Sequence, residues 1–279
     1  MGRKQIEIAV LGVLIIGVIF YAGAGIVYAG ALSSSAERTL NAVVSHQNAL
    51  NTSFNEIDSE VAALGGSGTF NPQQAVGLVD RSVTSSQAAA STINVDDSSL
   101  ASVQGQLVSS RWLTLVGHST VDRESARIGH ARKALAAARM IASDQVLDGH
   151  FWHSLYTALG ELDTLNNQSG SGDYTSAKGT LATMQTDVVQ AVRQSTAPGL
   201  PIDLHSLMVD LQTFVSDFAK QLDAQIAGDD AAVVQYQSSL DSDRTKLATY
   251  NVDKIGSDID AFYGPLIKRF NSEIAAATS

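Results

Sequence analysis

The sequence contains no cysteine among its 279 residues. This absence excludes disulfide bonds, a lipid attached through cysteine and metal sites built from thiolates. Proline is also scarce, with four residues in the chain, and none lies between Pro72 and Pro198. Because proline removes a backbone hydrogen bond from a helix interior, a stretch without it permits long helices.

Positive charge and catalytic motifs are scarce as well. The formal net charge is −10, which argues against general nucleic-acid binding, since such binding needs a basic surface. The sequence has no His-Glu-x-x-His, no Glu-x-x-His, no Gly-x-Ser-x-Gly and no glycine-rich phosphate loop. We therefore predict a non-enzymatic protein without a cofactor.

The longest apolar run occupies residues 8–31 and contains no charged side chain. As a helix with a rise of about 1.5 Å per residue it would be about 36 Å long, enough to span a bilayer core of about 30 Å. Arg3 and Lys4 precede it, which predicts a cytoplasmic N-terminus and an extracytoplasmic C-terminal domain in a cell membrane. We interpret the run as a retained signal-anchor; cleavage of a signal peptide at Ala29-Gly30-Ala31 is the alternative.

Downstream composition favours helices. Aromatic residues make up 6% of the chain, whereas Ala, Ser, Gln, Asp and Leu are abundant, as is typical of helical bundles and not of β-sandwiches. We predict an all-α fold, in which the transmembrane helix is followed by an antiparallel helical bundle with a coiled-coil-like first helix. The predicted parts are a head at 1–7, the anchor at 8–31, a stalk or first bundle helix at 32–70, and two bundle halves at 71–170 and 171–279.

Apolar residues recur every three or four positions between residues 40 and 64. Leu40, Val43, Leu50 and Phe54 begin this heptad seam, and Gln47 is its polar interruption. The seam predicts a helix that packs either on its own chain or on a second copy in a homo-oligomer; the spacing favours neither. Four residues rich in glycine, at 65–68, end the predicted helix.

Turn residues predict further helices near 72–90, 98–148, 151–168 and 173–195. Asn71 caps the first of these, and the polar run at 94–99 reads as a loop. After the break at 197–201, Asp203 is predicted to cap an amphipathic helix, and Gly228-Asp229 opens another. The last helix is predicted to kink at Gly264-Pro265. Its apolar stripe consists of Val252, Ile255, Ile259, Phe262, Leu266, Phe270 and Ile274.

Two groups of residues are candidates for binding. His150 and His153 lie three apart, on one helical face, and with Asp148 they form the best candidate metal ligands. An aromatic helix start with histidines at its edge explains them without a metal. The basic residues of one helix are candidates for contact with an anionic surface: Arg123, Arg127, Arg132, Lys133 and Arg139. Alternatively, these residues pair with the acidic stretch at 203–260 or are solvated.

These observations lead to a functional hypothesis. We expect a single-pass membrane protein that displays a helical bundle in the cell envelope and acts as an interaction or scaffold module, binding an envelope protein of unknown identity. The alternative is an extracytoplasmic bundle that senses a ligand or a metal. Because seven residues before the anchor are too few for an output domain, such a sensor would need a separate membrane partner.

Overall fold

The computed structural model describes residues 38–43, 45–46, 71–110 and 118–278. Of these residues 92% are helical, and none belongs to a β-strand. The all-α class and the helical bundle predicted from composition are confirmed. Residues 38–43 and 45–46 are helical, and six labelled helices follow: α1 Pro72–Ser110, α2 His118–Gly170, α3 Tyr174–Gln194, α4 Ile202–Ala227, α5 Asp230–Leu247 and α6 Val252–Thr278.

Most helix boundaries follow the turn chemistry of the sequence. The Asn71 side chain accepts a hydrogen bond from the Gln74 backbone N–H at 3.1 Å, as its predicted capping role requires. Asp173 and Asp229 cap α3 and α5 in the same way. Asp203 does not cap α4, because that helix begins at Ile202 and places Asp203 in its first turn.

Two predicted interruptions are wrong, because buried apolar residues beside or within the polar runs hold the helices together. α1 continues through 94–99, where the hydroxyls of Ser98 and Ser99 bond to carbonyls one turn earlier at 2.8 and 2.9 Å. Ile93 and Leu100 flank this run and are 1% and 0% exposed, so burial holds the helix together. α2 likewise runs without a break through 148–151, where the Phe151 side chain is buried.

The last helix buries a stripe that differs from the predicted one by one residue. Tyr263 is 1% exposed, whereas its neighbour Phe262 is 43% exposed. A step of four residues from Ile255 through Ile259 leads to position 263, so the helical repeat turns Phe262 outward. Pro265 lies inside α6 and does not end it.

The described residues group into two compact units, each with its own core. The first unit comprises 71–81 and Leu147–Ile259, and the second comprises 38–43, 45–46, 82–110, 118–146 and 260–278. α1, α2 and α6 therefore contribute residues to both units. The predicted division of the bundle into halves at 71–170 and 171–279 stays a prediction.

Leucine and aromatic side chains fill the core of the first unit. Leu165, Leu181 and Leu222 are fully buried there, and Phe214 and Phe218 pack against them. α4 packs on α3 and on α5. The cross-helix pairs Gln221–Gln237 and Asp210–Lys246 run in opposite directions along the chain, so α4 and α5 are antiparallel.

Alanine is the most frequent residue in the core of the second unit. Ile93, Ile128 and Leu135 are fully buried among alanines of α2, and Phe270 of α6 is 4% exposed. Val43, from the predicted heptad seam, is also 4% exposed in this cluster, and Leu40 packs beside it. These two seam residues therefore contact their own chain; the rest of the seam lies outside the described residues.

Within 38–43, 45–46, 71–110 and 118–278, no helix combines the length and the apolar character that a membrane crossing requires. The predicted head and anchor at 1–31 lie outside this part of the chain, as do the glycine-rich run at 65–68 and most of the predicted stalk.

Candidate functional site

The basic residues of α2 lie on two sides of the helix. Arg132 Nε donates to Asp97 of α1 at 2.7 Å, and Arg139 Nη1 donates to Asn94 of the same helix at 3.4 Å. Arg127 instead contacts α6, where its Nε donates to the Ala277 carbonyl at 2.9 Å. The sequence suggested one basic surface, whereas the structure pairs three of its members with neighbouring helices of the second unit.

The other two basic residues of this group point to solvent. The Arg123 side chain is 65% exposed and lies 3.8 Å from Glu124, and Lys133 is exposed. Arg127 also pairs with Glu124, with 3.2 Å between Nη1 and Oε2, and its side chain is only 18% exposed. Arg123 and Lys133, with the exposed Arg139, are therefore the members of the group that a partner could reach.

The structure does not bring the three candidate metal ligands together. Asp148 is 8% exposed and His150 is exposed, while His153 Nδ1 lies 2.7 Å from Oδ1 of Asp80 on α1. No group of three or more His, Asp or Glu side chains with metal-binding geometry occurs among the described residues. His153 thus takes part in a helix–helix contact.

Two further histidines make the same kind of contact in the second unit. His46 Nδ1 lies 2.9 Å from Asp96 Oδ1 on α1, and His130 Nδ1 of α2 lies 2.6 Å from Glu273 Oε2 on α6. Ionised carboxylates only accept hydrogen bonds, so each imidazole N–H donates. Sequence analysis missed both pairs, because their partners are 50 and 143 residues apart and no local pattern marks them.

In the first unit, a buried carboxylate connects α4 to the end of α5. Asp210 is 9% exposed and accepts hydrogen bonds from Lys246 Nζ and the Tyr250 hydroxyl, both at 2.6 Å. Burial acts to raise the pKa of Asp210, but these two hydrogen bonds outweigh it and lower that pKa below its ordinary value. Burial and the bond to Asp210 raise the pKa of Tyr250 to about 12.

Other charges extend this network. Burial, and then the nearby charges of Asp217 and Asp210, raise the pKa of Asp243 on α5. Lys254 of α6 donates to Asp203 at 2.9 Å and to Asp258 at 2.6 Å, and these bonds raise its pKa. Asp203, predicted as a helix cap, thus acts as an ion-pair partner.

A surface groove of about 690 Å³ lies in the second unit. Thr39 contributes to its wall, and α1 supplies hydroxyl and amide side chains that include Asn94, Ser98 and Gln106. The groove is shallow and open, and the Ser98 hydroxyl already bonds to the Asn94 carbonyl of its own helix.

Comparisons of the chain with protein-family models, with curated proteins and with solved structures found no match.

Proposed function

We propose that this protein is a non-enzymatic interaction or scaffold module of the cell envelope, held in the membrane by residues 8–31 as a single-pass signal-anchor. Arg3 and Lys4 before the apolar run favour a cytoplasmic N-terminus and a helical bundle outside the cytoplasm. Its partner is an envelope protein or an anionic surface. Its net charge of −10 disfavours nucleic acid as that partner.

One observation carries the proposal: several charged side chains of the described helices connect one helix with another. Asp210, His130 and Arg132 are examples, and each has its partner on a different helix. Charges used in this way give a bundle a specific arrangement and leave its outer surface for recognition. We assign contact with the partner to Arg123, Lys133 and Arg139, whose side chains are exposed on α2.

Two residues of the 40–64 seam, Leu40 and Val43, support packing on the same chain. Val43 is 4% exposed within the hydrophobic cluster of the second unit, and Leu40 packs against that cluster. Alternatively, the rest of the seam packs on a second copy of the chain, which would give a homo-oligomer.

In-cell crosslinking of the full-length protein tests the proposed partner. We expect one reproducible envelope protein to co-purify from membranes and to be lost when residues 69–279 are deleted. Replacing Arg123, Lys133 and Arg139 with glutamine should reduce its recovery severalfold. The matched control removes the same charge from exposed cations of the first unit, Lys178, Lys220 and Arg244. Equal recovery from both variants would overturn the assignment of the contact, and self-crosslinks alone would favour the homo-oligomer.

Membrane fractionation tests the anchor separately. The wild-type protein should stay in membranes after an alkaline wash, because residues 8–31 are apolar throughout. Leu14→Arg together with Ile16→Arg should release it, since each arginine at a helix centre costs about 2.5–3.5 kcal/mol of insertion free energy. The control places two arginines at Ile226 and Val234, which are exposed. A wild-type protein recovered in the wash would refute the anchor.

A further inference from the structure

A helical segment of the second unit, which contains Thr39 and His46, lies against α1. His46 Nδ1 is 2.9 Å from Asp96 Oδ1. Since seven helical residues rise about 10.5 Å, Thr39 lies beside Val103 if the segment is antiparallel to α1, and about fourteen residues earlier on α1 if it is parallel. Thr39 shares the surface groove with α1 residues between 94 and 106, which fits only the antiparallel direction. The segment therefore begins beside the C-terminal part of α1.

The start of α2 and the end of α6 lie at the same end of the second unit. Gln104 Nε2 of α1 donates to the Ser125 carbonyl of α2 at 3.3 Å. Arg127 Nε of α2 donates to the Ala277 carbonyl, one residue before α6 ends, at 2.9 Å. Val108, close to the end of α1, is 59% exposed. We call this meeting place the α1 tip: it comprises the start of the Thr39 segment, the end of α1, the start of α2 and the end of α6.

Acidic residues are few around the α1 tip, although the whole chain has a net charge of −10. The sequence has none between Asp97 and Asp122 and none after Glu273. The acidic stretch at 203–259, with ten aspartates against four basic residues, belongs to the first unit. An anionic surface would therefore meet little like charge at the α1 tip.

Cations and an apolar side chain are exposed at the α1 tip instead. The Arg123 side chain on α2 is 65% exposed, and Arg38 is exposed at the start of the Thr39 segment. Val108 lies on the same end of the unit. Such a set suits the boundary between lipid headgroups and water, where arginine pairs with phosphate and an apolar side chain leaves water.

The length of chain before Arg38 limits how far the α1 tip can lie from a membrane. Six residues separate the proposed anchor at 8–31 from Arg38. Even fully extended, this connection reaches about 25 Å. Ser82, the first α1 residue of the second unit, lies about 31 Å along α1 from the position beside Thr39. An orientation that places the opposite end of this unit on the bilayer would therefore need a longer connection.

We propose that the α1 tip contacts the surface of the membrane that holds residues 8–31, with Arg38 and Arg123 at anionic lipid headgroups and Val108 among them. This orientation rests on the membrane anchor of the proposed function, and it adds which end of the second unit faces the lipid. Arg139 lies about 24 Å farther along α2 than Arg123, so it stays available to a protein partner.

Fluorophores on single cysteines test this orientation, because the chain has no cysteine of its own. Full-length Val108→Cys is labelled in vesicles of phosphatidylcholine and phosphatidylglycerol in equal amounts, in which nitroxides on some headgroups quench fluorophores near the bilayer surface. Asn94→Cys and Val95→Cys, both exposed on α1 and about 20 Å from Val108, are the matched controls. Quenching should be severalfold stronger at position 108 than at either control position.

Arginine variants test the contact with headgroups. In labelled Val108→Cys, replacing Arg38 and Arg123 with glutamine should lower quenching severalfold, since each arginine beside anionic headgroups favours binding about fivefold. Arg139→Gln is the control and should leave quenching unchanged. All of these side chains are exposed, so the variants should fold. Quenching that stays unchanged without Arg38 and Arg123 would overturn the proposed contact.

Flotation of the vesicles after an alkaline wash separates failure of the orientation from failure of the anchor. Protein that floats with the vesicles but is quenched equally at positions 94, 95 and 108 would refute the orientation and leave the anchor intact. Protein that remains in the wash would refute both.

Discussion

In the first unit, lysine and tyrosine side chains make most of the contacts with carboxylates on other helices, whereas in the second unit histidine and arginine make them. The main pairs of the first unit are Lys246–Asp210, Tyr250–Asp210, Lys254–Asp203 and Lys178–Asp223. Those of the second are His46–Asp96, His130–Glu273 and Arg132–Asp97. Lysine stays charged far above neutral pH, while an imidazole titrates within the physiological range. The two units thus differ in the kind of donor that connects their helices.

The two units also differ in how many hydrogen bonds their buried carboxylates receive. The side chains of Asp210 and Asp96 are 11% and 4% exposed. Asp210 receives two hydrogen bonds from different residues, so the first unit compensates its buried charge at any pH above the ordinary aspartate value. Asp96 receives one bond from a titratable donor and keeps one oxygen unpaired. The second unit thus leaves one oxygen of its buried carboxylate without a hydrogen-bond partner. The first unit also has an imidazole–carboxylate pair, His153–Asp80, but its carboxylate is 57% exposed, compared with 4% for Asp96.

The largest expected effects come from the two cores. Leu181→Ala in the first unit and Leu135→Ala in the second should each lower the free energy of unfolding by about 2–5 kcal/mol, because both side chains are fully buried. Urea unfolding measures this loss, and hydrogen exchange should show a greater loss of protection in the unit that carries the change. Leu147→Ala, at a side chain that is 46% exposed, is the control and should cost less than about 1 kcal/mol. Equal loss of protection in both units would show that they are not separate.

Removing the charge of Asp210 should produce the next largest effect. Asp210→Asn should destabilise the protein by about 1–3 kcal/mol, because Lys246 and Tyr250 lose a charged acceptor. Because the folded state lowers the pKa of Asp210, its contribution is present above the ordinary value and is lost only as the pH falls below it. Urea midpoints should therefore differ from the wild type equally at pH 5.5 and pH 8. A difference that changes across this range would contradict the contrast between the units. Asp241→Asn, at an exposed pair with Arg244, should cost at most about 0.5 kcal/mol.

Replacement of glycine by alanine should destabilise the protein at one position and stabilise it at another. Gly228 ends α4 with a φ of +68°, so Gly228→Ala should destabilise the first unit by about 1 kcal/mol. Gly129 lies inside α2, where an added Cβ would meet only Gln104 Nε2 at an ordinary 3.7 Å. Gly129→Ala should therefore stabilise the second unit by about 0.5–1 kcal/mol. Thermal unfolding followed by circular dichroism measures both changes, and shifts in the same direction would contradict this account.

The smallest effect concerns carboxylates whose pKa is raised by burial in each unit. Burial, and then Asp187, raise the pKa of Glu161 in the first unit, and burial raises that of Asp144 in the second. A raised pKa means that the ionised form destabilises the folded state, and that this penalty disappears as the pH falls toward the ordinary value. Glu161→Gln and Asp144→Asn should each stabilise the protein by on the order of 0.5 kcal/mol at pH 7.5, with no gain near pH 4. Urea midpoints at both pH values measure this, with exposed Asp163→Asn as the control. A gain that persists at pH 4 would exclude ionisation as its cause.

Local chemistry predicted the fold class and most of the helix ends. Asn71, Asp173 and Asp229 cap helices because a side-chain oxygen reaches a backbone N–H three residues later, which is a property of the local sequence. The same reasoning failed at 94–99, since it counts polar residues as breaks and cannot know that α2 supplies Arg132 to Asp97. Local reasoning also placed Phe262 in the apolar stripe of the last helix. Apolar spacing alone does not fix which of two adjacent apolar residues faces the core, and in the structure it is Tyr263.

The sequence by itself determined that the described chain is helical and where most turns occur, since caps, glycines and apolar spacing act over a few residues. Tertiary structure alone decided which charges meet. His130 and Glu273 are 143 residues apart, and only the packing of α6 on α2 brings their atoms to 2.6 Å. The physical reason is range: a cap acts within one turn of helix, whereas an ion pair needs two distant segments whose shared core holds them in place.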